Sequence, residues 1–230
     1  MLNHFSIKKM LIISLGVLGL CSTAHSLKPV QRGEQTRKSN TMPIYNKSTG
    51  ESYIPSDDAM GLGVWLSGQF MALKIYDRTL NIDFPIYVYK GEYWFAGIPG
   101  NEYSLHLQNN VNSPPAFAAV SIDEVNTLSG LEDSKTSHYG RPAYLLSQKS
   151  PTVISSLWWR NKIDNASLRF PGHRNSSSSS GIFRIALFDE MLDPLYYGIR
   201  PAIPKQVIML SYDSPENLVT RGILIRDTRK

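Results

Sequence analysis

From Phe70 onward the apolar residues of this chain recur at every second position, the spacing of strands with one face buried and one face wet. Phe70 to Tyr76 alternates until Asp77-Arg78 ends it. Pro85 to Tyr89 and Tyr93 to Ala96 flank Lys90-Gly91-Glu92, which reads as a hairpin with a glycine turn. Tyr103, Leu105 and Leu107 alternate with Glu102, Ser104, His106 and Gln108, the cleanest amphipathic strand of the chain. Further strand-like runs lie at Ala116 to Ile122, Val125 to Leu128, Tyr144 to Leu146 and Val153 to Trp159. Leu168 to Phe170, Ile182 to Phe188, Val207 to Tyr212 and Ile223 to Arg226 follow. Gly, Pro and Asn break the pattern about every ten residues, and no window of twelve or more has helical period. The fold class expected is all-β, an antiparallel β-sandwich or jelly-roll-like domain.

The two ends read differently. Lys8-Lys9, the apolar run Met10 to Leu20 and the small-residue exits Ser22-Thr23-Ala24 and Ala24-His25-Ser26 make residues 1–26 a secretory leader. Its core is shorter than the ~20 apolar residues of a bilayer span. Cys21, the sole cysteine, falls inside it, so the secreted chain has no disulfide and no thiol nucleophile. Lipid anchoring through Cys21 would want a small residue before it, and Leu20 stands there. Residues 27–60 are polar and basic with almost no apolar period, a flexible, disordered tether, so order is expected to begin near Leu62. A β-sandwich then covers 61–190, and 191–230 adds strands or an extension of the same domain.

The formal charge of +5 loses Lys8 and Lys9 with the leader, too small an excess for a nucleic-acid footprint. No phosphate-cradling glycine loop or cofactor motif is present, and Gly63 to Gly68 is not a nucleophile elbow.

One succession is familiar. Gly91-Glu92-Tyr93-Trp94, Gly97, Pro99 to Tyr103, Asn109, Ala119-Val120-Ser121-Ile122-Asp123, Val125-Asn126 and Gly130 come in one order. Tyr139 to Leu146, Trp158-Trp159-Arg160 and Ile182 to Phe188 follow. This resembles a family of uncharacterised secreted bacterial proteins with a G-x-Y, V-S-V-D-G-x-N, G succession, over about Leu73 to Glu190. The resemblance implies secretion but no activity. Glu124 stands where that family has a turn glycine; Glu takes positive φ only at a cost, so a different turn type is expected.

Candidate chemistry is sparse. Asp123 and Asn126 flank a turn, where they would contact calcium or sugar hydroxyls, or simply bond their own backbone. His106, His138 and His173 lack metal-ligand spacing. The pairs Asp57-Asp58, Glu132-Asp133 and Asp189-Glu190 are neighbours in sequence, whereas a glycosidase holds two carboxylates across a cleft. Aromatic residues are the best hint. Ile86 and Val88 suit the core, which turns Tyr87 and Tyr89 outward beside Trp94. Trp158 and Trp159 are adjacent, so at least one points away from the core, with Arg160 able to stack on it. The expectation is an exported, non-catalytic binding module of the bacterial envelope, without metal or cofactor. Its aromatic face would take an envelope glycan or envelope protein. A structural accessory protein is the alternative and a hydrolase a more distant one.

Overall fold

The computed structural model describes residues 43–47, 49–110, 116–132, 143–147, 150–157, 167–171, 180–188 and 204–228. The leader, Cys21, Ser176 to Ser179, His138, His173, Trp158, Trp159 and Arg160 lie outside the described residues. Along the chain come β1 (Ile44–Asn46), β2 (Glu51–Pro55), β3 (Met60–Gly63), β4 (Leu66–Ser67), β5 (Met71–Asp77) and β6 (Ile82–Asp83). Next are β7 (Ile86–Tyr89), β8 (Glu92–Ala96), β9 (Tyr103–Asn109), β10 (Ala116–Ile122), β11 (Val125–Asn126) and β12 (Tyr144–Leu146). The last are β13 (Thr152–Ile154), β14 (Gly181–Phe188), β15 (Gln206–Asp213), the one-and-a-half-turn helix α1 (Pro215–Thr220) and β16 (Leu224–Arg226). No helix of the described residues is long and apolar enough to cross a membrane.

The protein is an all-β sandwich. The larger sheet runs β11-β10-β14-β15-β8-β7-β3, with β12 also on β10; the smaller runs β13-β9-β5-β4, with β6 also on β5. Alternation makes each sheet two-faced. In β5, Met71, Leu73 and Ile75 are buried with Asp77, and in β9 Tyr103, Leu105 and Leu107 are buried with them. These face Ile185, Leu210, Phe183 and Phe95 of the larger sheet within one continuous core. An aromatic cluster binds the layers: Tyr103 of β9 stacks on Phe170 at 4.2 Å and meets Phe183 of β14 at 5.6 Å. Phe183 in turn meets Tyr212 of β15 at 5.2 Å.

Three features bear on the sequence reading, and the first and third differ from it. Residues 44–60, read as linker, carry strands: β1 and β2 pair, β2 pairs β16, and Ile44 and Tyr53 are buried. The apolar residues here come only as the pairs Ile44-Tyr45, Tyr53-Ile54 and Ala59-Met60 in otherwise polar sequence, so no strand period shows. Second, the C-terminal stretch, expected to add strands or an extension of the same domain, contributes β15 and β16. Its strand β15 lies inside the larger sheet, antiparallel to β14 and parallel to β8. Ser214 caps α1 by accepting from the Asn217 N–H at 3.3 Å, with Pro215 at the first helical position. Third, Asp123 and Glu124 both have positive φ, 50° and 68°, in a two-residue loop between the Ile122–Val125 pair. That is the dihedral pattern of a type I′ turn, so Glu124 does occupy the place that suits glycine.

Two predictions follow from this packing. Glu124→Gly removes a left-handed side chain and is expected to stabilise by about 1 kcal/mol, raising Tm by about 2–4 °C. Gly181→Ala drives a Cβ into the Tyr212 ring, where space is filled by the cluster. A denaturant titration should show a loss of about 1–3 kcal/mol, the usual range for overpacking.

Candidate functional site

The outer face of the smaller sheet gathers chemistry that the core does not use. Because β5 buries its odd positions, Lys74 and Tyr76 point outward, and the same period in β9 turns Ser104, His106 and Gln108 outward. Register then sets the neighbours. Lys74 lies opposite His106, which lies opposite Val153 of β13; Tyr76 lies opposite Ser104 on one side and Asp83 of β6 on the other. Trp65, just before β4, reaches over the same patch: the Lys74 ammonium is 5.3 Å from its ring centroid and 6.0 Å from that of Tyr76. The Lys74 Nζ donates to Asp83 Oδ2 at 3.1 Å and lies 2.9 Å from Oδ1. The His106 ring sits 5.9 Å from Tyr76, and its Nε2 is 3.0 Å from the Ser104 hydroxyl. Tyr76 donates to Asn81 at the rim, 3.4 Å away. Val153, 53% exposed, completes an aromatic and polar surface open to solvent.

Lys74 meets Asp83, and at the end of the same face Glu102 meets both Arg78, at 3.6 Å, and Arg169, at 2.7 Å. Burial holds the His106 pKa below its ordinary value, the Lys74 ammonium lowers it further, and the Asp83 carboxylate opposes both. The imidazole is therefore neutral at pH 7. Ser104, 3% exposed, is covered, so its hydroxyl holds the imidazole in place rather than meeting a substrate.

The residues singled out in the sequence fall elsewhere. Tyr87 is fully buried and Trp94 only 6% exposed; they are opposite each other in β7 and β8. The reading of an outward Tyr87 and Trp94 is thus corrected. The reason is a third layer of β1, β2, β16 and α1, whose Ile44, Tyr53, Leu218 and Leu224 join the same core. Arg221 stacks over the Trp94 ring at 5.6 Å while bonding the buried Asp213 carboxylate through Nε at 3.1 Å and Nη2 at 3.0 Å. Burial pushes the Tyr87 phenol pKa up. Tyr89 is half-buried, with the Lys90 ammonium 5.0 Å from its ring. Asp123 accepts from the Ile182 N–H at 2.9 Å and the Tyr212 hydroxyl at 2.8 Å. Asn126 accepts from the Leu128 and Ser129 N–H groups at 2.9 and 3.1 Å. Both serve their turns. Trp158, Trp159 and Arg160 are outside the described residues. Trp65, Lys74, Tyr76 and Asp83 were missed, although the alternation that put His106 on a polar face applies equally to β5.

Two other clusters are structural. At the junction of the chain ends, Tyr53 donates to Glu51 and, at 3.0 Å, to Glu216, which also accepts from Asn46 at 3.2 Å. Burial, then these two carboxylates, raise the Tyr53 pKa. Burial pulls the Glu216 carboxyl up, but bonds from its own N–H, Tyr53, Ser214 and Asn46 hold it below the ordinary range. A cleft bounded by Gly97, Phe170, Tyr212 and Asp213 has only about 10 Å³, room for about one water. Among the described residues no group of three or more His, Cys, Asp or Glu could hold a metal ion.

The chain matches no protein-family model, no curated protein and no solved structure.

The lowered His106 pKa has a definite sign for stability. The unfolded chain binds the proton more tightly, so this contribution is full above pH ~6.5 and is lost as pH falls through the lower folded value. Thermal melts from pH 7 downward should show His106→Gln losing less Tm than wild type across that window. Below pH ~4.5 both should fall together as Glu216 takes up a proton. Parallel curves throughout would show that His106 is not held neutral by the fold.

Proposed function

We propose that this is an exported, non-catalytic binding module of the bacterial cell envelope, and that it holds a glycan on the outer face of the smaller sheet. The observation that carries the reading is the placement of Trp65 and Tyr76 around the Lys74–Asp83 pair. A sugar ring presents an apolar C–H face that stacks on aromatic rings and a rim of hydroxyls that needs donors and acceptors. Trp65 and Tyr76 offer the first, and Lys74, Asp83, Asn81 and Gln108 the second. Export rests on the leader at residues 1–26, and the tether at its end would let the domain reach along the envelope. The family resemblance attaches no activity and adds only secretion.

An accessory role in an envelope assembly is the second reading. It is favoured by the outer side of the third sheet, where Tyr45, 49% exposed, and Ile225, 46% exposed, flank Ile54 on strands with open edges.

Trp65→Ala is expected to weaken retention on isolated envelope glycan about tenfold or more, with a stability cost of about 1 kcal/mol or less. Trp94→Ala is expected to cost about 3–5 kcal/mol, because it empties a core position. Retention untouched by Trp65→Ala in a folded protein would end the glycan reading for this face. Capture of one envelope protein, lost on Tyr45→Ser with Ile225→Ser, would support the accessory role.

A further inference from the structure

We infer that the ligand of the Trp65–Tyr76 face is an acidic sugar chain, and that Arg78 and Arg169 at one end of the face take its carboxylate or phosphate oxygens. This deepens the glycan reading above and rests on it.

Register builds the cationic end. The Arg78 N–H donates to the Glu102 carbonyl at 2.8 Å, one step beyond the Asp77–Tyr103 pair. The alternation of β5 and β9 therefore turns Arg78 and Glu102 outward with Lys74 and His106. Glu102 in turn lies opposite Arg169, whose neighbours Leu168 and Phe170 are buried, so Arg169 points to the same side. Arg78, Glu102 and Arg169 thus form one row across the end of the sheet. Four residues separate Arg78 from Lys74, about 14 Å at the rise of a strand. Tyr76 lies between them. A ligand longer than one sugar ring reaches the guanidinium groups while its rings lie on Trp65 and Tyr76.

Charge then selects the ligand. Asp83 is spent on Lys74: its oxygens lie 2.9 and 3.1 Å from the ammonium, and Oδ1 is buried. Glu102 is shared. Arg169 Nη2 donates to it at 2.7 Å, while Arg78 Nη1 stays 3.6 Å away, beyond hydrogen-bond length. The Arg169 hydrogen bond holds the Glu102 carboxyl below its ordinary range against the opposing effect of desolvation, so Glu102 is ionised at pH 7. Two guanidinium groups around one carboxylate leave one positive charge over, and the neutral His106 adds none. That surplus is open to water, with the Arg169 and Arg78 side chains 65% and 41% exposed. A guanidinium presents five N–H donors in a planar fork that matches the edge of a carboxylate or phosphate. Glu102 holds the two forks on one row before a ligand arrives, and an oxyanion there neutralises the surplus and gains charge-assisted hydrogen bonds. A neutral hydroxyl would leave the charge uncompensated. Other basic residues, Lys47 beside β1 and Arg226 in β16, flank the third sheet instead.

The test is affinity electrophoresis of the secreted chain in gels holding alginate, polygalacturonate or phosphomannan, beside neutral mannan and dextran, at low and high salt. The expected result is retardation by at least one acidic polymer, weakened by salt and stronger than retardation by either neutral one. Arg78→Gln with Arg169→Gln should weaken it about tenfold, and Trp65→Ala by about as much, with folding checked by circular dichroism. Lys47→Gln with Arg226→Gln removes the same charge from the third sheet and should change it less than about twofold. Response to alginate or polygalacturonate assigns a carboxylate, response to phosphomannan alone a phosphate, and either supports the inference. Equal loss in the two double variants would overturn it, because the attraction would then come from net charge. Trp65-dependent retardation by mannan or dextran, as strong as by the acidic polymers and untouched by Arg78→Gln with Arg169→Gln, would overturn it and keep the glycan reading. Retardation by none of the five through Trp65 would overturn both.

Discussion

The structure depends on one aromatic cluster between the two sheets. Tyr103 comes from the smaller sheet, Phe95, Phe183 and Tyr212 from the larger, and Phe84 and Phe170 from connecting segments. Phe170 stacks on Tyr103 at 4.2 Å and also meets Phe84, Phe95 and Tyr212, so a segment without regular strand structure is fastened into the core. Offset and edge-on ring pairs contribute about 0.5–1.5 kcal/mol each beyond the area they bury. Such close approach needs space on the backbone. Gly97 gives it, since a Cβ there would lie 2.7 Å from the Phe170 ring, and Gly181 does the same under Tyr212. The Tyr212 hydroxyl, the polar end of a buried ring, is satisfied by Asp123 and so carries the cluster out to the β10–β11 turn.

A second constraint joins the chain ends. Strand β15 enters the larger sheet between β14 and β8, and the chain then turns through Ser214 and α1 to pair β16 with β2. The Ser56 hydroxyl donates to the Gly222 carbonyl at 2.7 Å, and its N–H donates to Ile223 at 3.0 Å. This third layer lies over Trp94 and Tyr87. It depends on Asp213, whose carboxylate is 6% exposed and would be costly if left alone, but accepts from Ser214, Asn217 and Arg221.

Local period carried most of the fold in the sequence. The hairpin at Lys90-Gly91, the inward Tyr103, Leu105 and Leu107, and the strands β10, β14 and β15 stand where alternation placed them. What it could not carry is which outer faces another layer would cover. Ile86 and Tyr87 alternate as an in–out pair, yet both are fully buried, because the cover comes from β1 and β2 toward one end of the chain and α1 and β16 at the other. Long-range pairing of this kind leaves no mark in a short window. Glu124 is a different case. Its turn is imposed by the Ile122–Val125 pair and by Asp123 bonding β14 and β15, so tertiary contacts hold a residue in a conformation its own chemistry disfavours.

The distribution of cost and gain separates the two aromatic sites. Trp94 and Tyr87 earn their place by burial, and their layer would collapse around an empty space without them. The patch around Lys74 does not work that way. Its ion pair has side chains 20% and 29% exposed, a setting in which such pairs contribute about 0–1 kcal/mol. A lysine over an exposed ring adds about 0.5–1 kcal/mol. Folding alone therefore gives little reason to set two aromatic rings, an ordered ammonium, a carboxylate and a neutral imidazole side by side. An array that contributes so little to stability, yet is held in register by β5 and β9, is what the proposed glycan reading rests on.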